Sequence, residues 1–247
     1  MKLDNLQMNS LKNIGWVIIL FIPLPSFAES TLVFSGIKGS VNSDISMRVL
    51  EPAYKQLGIN VEYLPQPGER SLKSSNSGAV DGEVFRIVNV QKRYKNLIPI
   101  PTSINVLQGI AFTRNLDIKI DGWESLRPYN IGIQVGIKFA ERGTKGMRRI
   151  MVDTNEQLFR MLDSGRVDVI VAAHANGLKT LNALKLKGIR TLRPAIQEYP
   201  LYHYLHKRHS ALVPKLDAVL QKLKSSGLIK STRQKSLKNL SNNTDNK

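Results

Sequence analysis

The 247-residue sequence predicts a two-lobed α/β protein, each lobe a mainly parallel open sheet flanked by helices, with two chain crossings between the lobes. Three observations predict it. Strand-like and helix-like segments alternate along the chain, as they do in a sheet covered on both faces. A five-residue unit, Ser77-Gly78-Ala79-Val80-Asp81, recurs as Ser164-Gly165-Arg166-Val167-Asp168, each copy closing a helix with glycine and opening an apolar strand. Finally, a leucine-faced helix near the carboxyl end has no neighbour of its own to cover it.

The elements follow in order. Thr31–Ser35 is rich in strand formers. Ser43–Leu57 reads as a helix with Val49, Leu50, Ala53, Tyr54 and Leu57 on one side, ended by Gly58, and kinked or shortened by Pro52. Ile59–Leu64 is a strand, Glu69–Asn76 a short helix, Val80–Phe85 a strand, Val90–Tyr94 a basic helical turn and Leu97–Ile100 a strand. Asn105–Thr113 is extended. A second series has strands at Asn130–Gln134, Val167–Ala172 and Ile189–Leu192, with helices over Gly136–Met147, Asp153–Ser164 and Leu178–Leu186. Thr154 and Gln157 form a capping box for the middle helix. Leu201–Leu205 is extended. The final helix carries Leu212, Leu216, Val219, Leu220 and Leu223, with Ser210 as its cap, Pro214 in its first turn and Gly227 at its end. It is expected to pack back on the first lobe, with the crossings near Gly109–Arg114 and Tyr199–Tyr204.

The amino terminus reads as a secretory signal. Lys2 and Lys12 precede an apolar run from Trp16 to Ile22, Pro23 and Pro25 close it, and Ser26 and Ala28 supply a cleavage site. The run is too short for a membrane span. Cleavage is expected after Ala28; the next residue is Glu29, not Cys, so no lipid anchor and no stable membrane anchor are expected. The sequence thus divides into a signal at 1–28, a first lobe at 29–112, a second lobe at 113–200 and a return to the first lobe at 201–247, with a basic tail. The expected location is the periplasm. Cysteine is absent, which excludes disulfides, thiol catalysis and thiolate metal sites.

The formal net charge is +17, from 36 Lys and Arg against 19 Asp and Glu. Ten of the basic residues fall from Lys207 onward, against two Asp, which fits a solvated basic face and tail. No aromatics interleave those lysines, so a nucleic-acid partner is not expected. There is no nucleophile elbow and no phosphate-binding glycine loop. His203, His206 and His209 recur every third residue, a poor spacing for a metal on a strand. Neither metal nor cofactor is expected.

The motifs Gly78-Ala79-Val80-Asp81-Gly82-Glu83, Gln91-Lys92-Arg93 leading to Leu97–Pro101, Ile131-Gly132-Ile133-Gln134-Val135-Gly136, Ser164-Gly165-Arg166-Val167-Asp168 and Tyr202–Lys207 occur in an order and spacing that resembles the periplasmic solute-binding proteins of polar amino-acid transporters. The resemblance covers most of the chain after residue 28. It implies a periplasmic-binding-protein-like fold, a ligand between the lobes, hinge closure around it, and an inner-membrane ABC permease or a sensor protein as partner of a monomeric binder. The function so read is non-catalytic capture of a small polar, anionic or amino-acid-like solute. The alternatives are a basic surface- or nucleic-acid-binding protein, or an enzyme on the same fold.

Six residues are candidate ligand contacts. Arg86, at the end of a repeated strand, is expected to fork onto an acid group, with Glu83 as its orienting partner or a contact. The resemblance puts Arg93 where an arginine holds the ligand carboxylate. Arg70 opens a helix after Pro67-Gly68. Gln134 ends a strand where the family anchors ligand, and His174 follows the second repeated strand. Where the family carries an acid for the α-ammonium group, this chain has Ala173. The cleft is therefore expected to be positive and to prefer an anion.

Overall fold

The computed structural model describes residues 30–245, with side chains from Thr31 to Ser241; the expected signal at 1–28 and its cleavage site lie outside the described residues. Strand β1 (Ser30–Ile37) leads through helix α1 (Val41–Lys55) to β2 (Ile59–Gln66), which pairs with β1 in parallel along its whole length. Helix α1 starts two residues before its expected first position. Pro52 stands in its last turn, where the helix is about to stop anyway, so no break results. Helix α2 (Gly68–Ser77) then leads to β3 (Gly82–Arg86), parallel to β1, and a tight turn at Val90–Lys92 leads to β4 (Leu97–Pro99).

β5 (Asn105–Thr113) crosses into the second half. There β6 (Ile131–Gln134), α3 (Lys138–Gly143), β7 (Arg149–Val152), α4 (Asn155–Asp163), β8 (Val169–Ala173), α5 (His174–Leu184) and β9 (Arg190–Thr191) follow. β10 (Gln197–His206) returns, and α6 (Val213–Ser225) and α7 (Leu228–Asp245) end the chain. The sheet order is β2-β1-β3-β10-β5-β8-β6-β7, and β6 pairs in parallel with both β7 and β8. Among the described strands, β5 and β10 carry the sheet from one half into the other. They pair antiparallel over Asn105–Leu201 to Gly109–Gln197, while β5 pairs with β8 from Gly109 to Phe112 and β10 pairs with β3 and β4 from Tyr202 to His206. The first crossing is thus Asn105–Gly109, ahead of the Gly109–Arg114 stretch that the sequence suggests.

The repeated five-residue unit does the same work twice. Gly78 and Gly165 both take positive φ, +80° and +70°, and turn the chain out of α2 and α4. Ala79 N donates to Ser74 O, and Arg166 N to Met161 O, both at 3.1 Å. Asp81 Oδ2 then accepts from Val33 N at 2.8 Å, and Asp168 Oδ2 from Asn130 N at 2.8 Å. Each aspartate therefore ties the start of its strand to the neighbouring parallel strand. Burial pushes the Asp81 carboxyl up, but Val33 N–H, Arg208 and His209 outweigh it and hold it below the usual range.

Several sequence expectations need correction. The helix expected over Gly136–Met147 is only Lys138–Gly143, because the chain must turn back into β7; Gly143 packs its backbone on the Trp123 ring, where a side chain would collide. Ser210 does not cap α6. It lies in a tight turn over Lys207–Leu212, and Leu212 is the cap residue, without a side-chain bond. α5 begins at His174, four residues before expectation. The basic tail is not a free tail: it is α7, whose Leu237 and Leu240 pack on Val41 and Ile45 of α1 and on Ala175 of α5.

The first lobe's core holds Phe34, Leu50, Tyr54 and Val84 together with Leu216, Val219, Leu220 and Leu223 of α6, so α6 closes the first lobe. His203 lies fully buried in that core, edge-on to Phe34 at 4.6 Å. Its Nδ1 donates to Val84 O at 3.2 Å, and Nε2 accepts from the Tyr54 hydroxyl at 2.8 Å, so a neutral ring satisfies both groups. Burial lowers its pKa from 6.5 to about 4. The unfolded chain takes up this proton near 6.5 and the folded one only near 4, so this stability is complete above 6.5 and is lost as pH falls through that window. The full effect is about 3 kcal/mol. Urea titrations at neutral and mildly acid pH should show the loss, and His203→Leu should flatten it; an equal slope in both proteins would contradict the assignment.

Candidate functional site

The carboxyl ends of four strands meet a cavity of about 630 Å³ between the halves. Such strand ends are where open α/β sheets bind ligands. The turn after β1 contributes Ile37, Lys38, Ser40 and Asn42, and the segment after β3 contributes Phe85, Ile87, Arg93 and Tyr94. From the second half come Ile137, Lys138, Phe139 and Arg142 after β6, with Ala173 and Asn176 at the end of β8 and the start of α5. Leu107 and Tyr199 of the crossing strands form the junction. Apolar groups dominate, and among the described residues four cations and no carboxylate line the space.

Sequence and physics explain the placement. Gly39 and Gly136 have positive φ, +74° and +83°, which turns each strand sharply toward its helix and leaves Lys38 and Lys138 at the rim. Phe139 and Arg142, three residues apart, share one face of α3. Phe139 stacks obliquely between Trp123 and Tyr199, at 6.4 and 5.8 Å between ring centres. The hydroxyl of Tyr199 donates to Gln197 Oε1 at 2.7 Å. Burial pushes the phenols of Tyr94 and Tyr199 up, so both remain hydrogen-bond donors at neutral pH. A direct bond joins the halves at the cavity: Val41 N donates to Asn176 Oδ1 at 3.3 Å.

Of the six candidate residues, Arg93 lines the cavity. Its side chain is 76% exposed, its Nη2 lies 3.3 Å from Glu69 Oε1, and its guanidinium sits 5.5 Å from the Tyr94 ring centre. The other five do not line it. Arg86 is pinned: Nε donates to Glu83 Oε1 at 2.8 Å and Nη2 to Gly68 O at 2.7 Å. Glu83 is fully buried, with the Ser71 hydroxyl 2.7 Å and Ser75 Oγ 2.9 Å from its Oε2. Burial pushes its carboxyl up, against Arg86 and the serines. The pair is engaged with itself and with Gly68, Ser71 and Ser75, beside the cavity-lining Phe85. Arg70 is exposed on α2. Gln134 is used by its neighbour, with Nε2 donating to Asp153 O at 2.9 Å.

His174 is 6% exposed, is not among the cavity-lining residues, and lies close to Arg193 and Arg233. Arginine can only donate, so Nε2 accepts from Arg193 Nη2 at 3.3 Å and the ring proton sits on Nδ1, which has no partner among the described residues. Burial and the two guanidinium groups lower its pKa to about 4. Among the cavity-lining residues that the sequence does not single out are Lys38, Tyr94, Lys138, Phe139, Arg142 and Tyr199. For Lys38 the signal was present, a cation at a strand end just before a Gly-Ser helix start. For Tyr199 there was none, since its role depends on how the two crossing strands pair. Among the described residues, no group of acids and histidines is placed to hold a metal ion, and no helix is long and apolar enough to cross a membrane.

No family model matches the chain. An uncharacterized protein of Shewanella oneidensis is 32% identical over 190 residues, which is 74% of this chain and 72% of the relative. Among solved structures, a histidine kinase sensor domain with similarity to periplasmic binding proteins matches 84% of this chain and 96% of its own, at 18% identity and a TM-score of 0.63. An ancestral arginine-binding protein bound to arginine matches 83% and 97%, at 19% identity and 0.62. An amino acid ABC transporter substrate-binding protein of Streptococcus pneumoniae, bound to L-arginine, matches 85% and 96%, at 17% identity and 0.62. The chain belongs to one family with the Shewanella oneidensis protein, and its fold is the two-lobed fold of the periplasmic amino-acid-binding proteins.

Proposed function

We propose that this protein is an extracytoplasmic solute-binding protein that captures a small anionic solute between its lobes, closes around it, and presents it to an inner-membrane transporter or a sensor. One observation carries the reading: an apolar interlobe cavity of about 630 Å³ whose lining has Lys38, Arg93, Lys138 and Arg142 but no acid. Its size and composition suit a small-molecule site. Among the described strands, two connect the sheet from lobe to lobe, an arrangement compatible with hinge closure. The cavity's titratable groups are cations and protonated phenols, so they serve orientation and charge matching better than turnover. Arginine, the ligand of two structural neighbours, would bring its guanidinium against Lys38 and Arg142, and fits poorly.

The acid-binding role expected of Arg86 passes to the cavity's cations, of which Lys38 and Arg142 have no carboxylate partner among the described residues, whereas Arg86 is engaged with Glu83 and Arg93 with Glu69. A thermal-shift screen of organic acids, amino acids and polyamines is expected to select an acid, since ligands of the native state raise its melting point. Calorimetry with that acid should then show that Lys38→Ala or Arg142→Ala loses about 1.5–3 kcal/mol, one to two decades of affinity, with Arg86→Ala much less affected at the site itself. Equal affinity in wild type and in both Lys38→Ala and Arg142→Ala, or preference for a polyamine, would defeat the reading. Periplasmic delivery is tested by sequencing the mature amino terminus, expected to begin at Glu29.

A further inference from the structure

We propose that the solute is an elongated dianion: two acidic groups at opposite ends of an apolar body, with no ammonium group. This deepens the reading of the cavity as the binding site and rests on it. The cations are divided between the walls, Lys38 and Arg93 on the first lobe and Lys138 and Arg142 on the second. They are not equally free. Lys138 Nζ lies 2.7 Å from Glu141 Oε2, and that carboxylate also accepts from Gly136 N at 2.6 Å. Arg93 shares its charge with the half-exposed Glu69. Among the described residues, no carboxylate pairs with Lys38 or with Arg142. Each wall therefore presents one cation without a counter-charge.

Between the walls the surface is mainly hydrocarbon: Phe85 and Ile87 on one side, Phe139 on the other, Leu107 at the junction. Closure drives water from this space, which raises the cost of every charge left unpaired and the repulsion between cations brought face to face. A monoanion seated on one wall answers one of them and leaves the other against the apolar end of the ligand. An acid at each end answers both, and its two ion pairs pull on opposite lobes, so binding itself favours closure. An amino-acid ligand meets the opposite problem: its ammonium group finds Ala173 and cations, and no acid in the lining.

Calorimetry on the purified protein tests this with matched probes: linear and aromatic dicarboxylates of increasing length, each against the monocarboxylate of the same skeleton, and phenylalanine and glutamate as amino-acid probes. The expected result is a dicarboxylate at least tenfold tighter than its monocarboxylate and tighter than either amino acid. In Arg142→Ala the ratio of the two affinities should shrink toward one; Arg142 is exposed, and an unchanged melting point checks that the variant is folded. A ratio near one in wild type, or an amino acid as the tightest probe, overturns the dianion while leaving the anionic-solute reading in place. An undiminished ratio in Arg142→Ala overturns the two-ended arrangement. If no carboxylate of any kind binds, both readings fall.

Discussion

Replacing Leu216 and Leu220 together by alanine is expected to leave the first lobe unfolded or close to it at room temperature. Both side chains are fully buried and pack with Phe34, Leu50 and Tyr54, although more than 150 residues separate the two segments. Each truncation removes a buried side chain and leaves a cavity, at about 2–5 kcal/mol apiece. The sum approaches the whole stability of a typical domain, about 5–15 kcal/mol. Urea unfolding followed by circular dichroism measures it, and the exposed-face variant Lys222→Ala serves as the control. A double variant that melts within a few degrees of wild type would show that α6 is an appendage and not part of the first lobe's core.

Glu83→Ala is expected to cost about 3–5 kcal/mol, because it strands the Arg86 guanidinium in a site that is largely closed to water. The carboxylate is held by Arg86, Ser71 and Ser75, and it links β3 to α2. Removing it leaves Arg86 with Gly68 O as its remaining named acceptor. The companion variant, Glu83→Leu with Arg86→Leu, removes both charges and should recover much of the loss. The urea midpoint of each protein decides the matter. If Glu83→Ala and the double variant were equally destabilised, shape and not charge would be the cause. A loss under about 1 kcal/mol in Glu83→Ala would mean that the cluster is exposed to water in solution.

The architecture was legible in the sequence where its determinants are local. The helix-stopping glycines and the Thr154–Gln157 capping box act within a few residues and stand where they were expected, while the apolar strands after the repeated glycines begin two residues later than expected, at Gly82 and Val169. The site was legible only in outline. Arg86 and Arg93 are equally good arginines on paper. Glu83, three residues before Arg86, and the Gly68 carbonyl, far off in sequence, decide that Arg86 is occupied. Arg142 and Tyr199 join the cavity only because the sheet order brings the ends of β1 and β6 to opposite walls. β7 was missed because it is a short strand at the sheet edge, with Ile150 46% and Met151 39% exposed and thus without the alternation of a half-buried strand. α7 was missed for a related reason: it is rich in Lys, Ser and Asn, and two leucines do its packing on α1 and α5.

That helix has a mechanical consequence. Its leucines rest on one lobe and the other at once, Asn182 of α5 donates to its Leu240 carbonyl, and Arg233 Nε reaches Val106 O of the first crossing at 3.3 Å. Any swing of the lobes about the crossing strands must slide α7 over at least one of its supports. The terminal helix, whose described residues are not part of the cavity lining, would thus act as a built-in strain gauge. An environment-sensitive fluorophore on its outer face, at Lys230 or Lys235 changed to cysteine in this cysteine-free chain, would convert opening and closing into an optical signal without a label in the cavity.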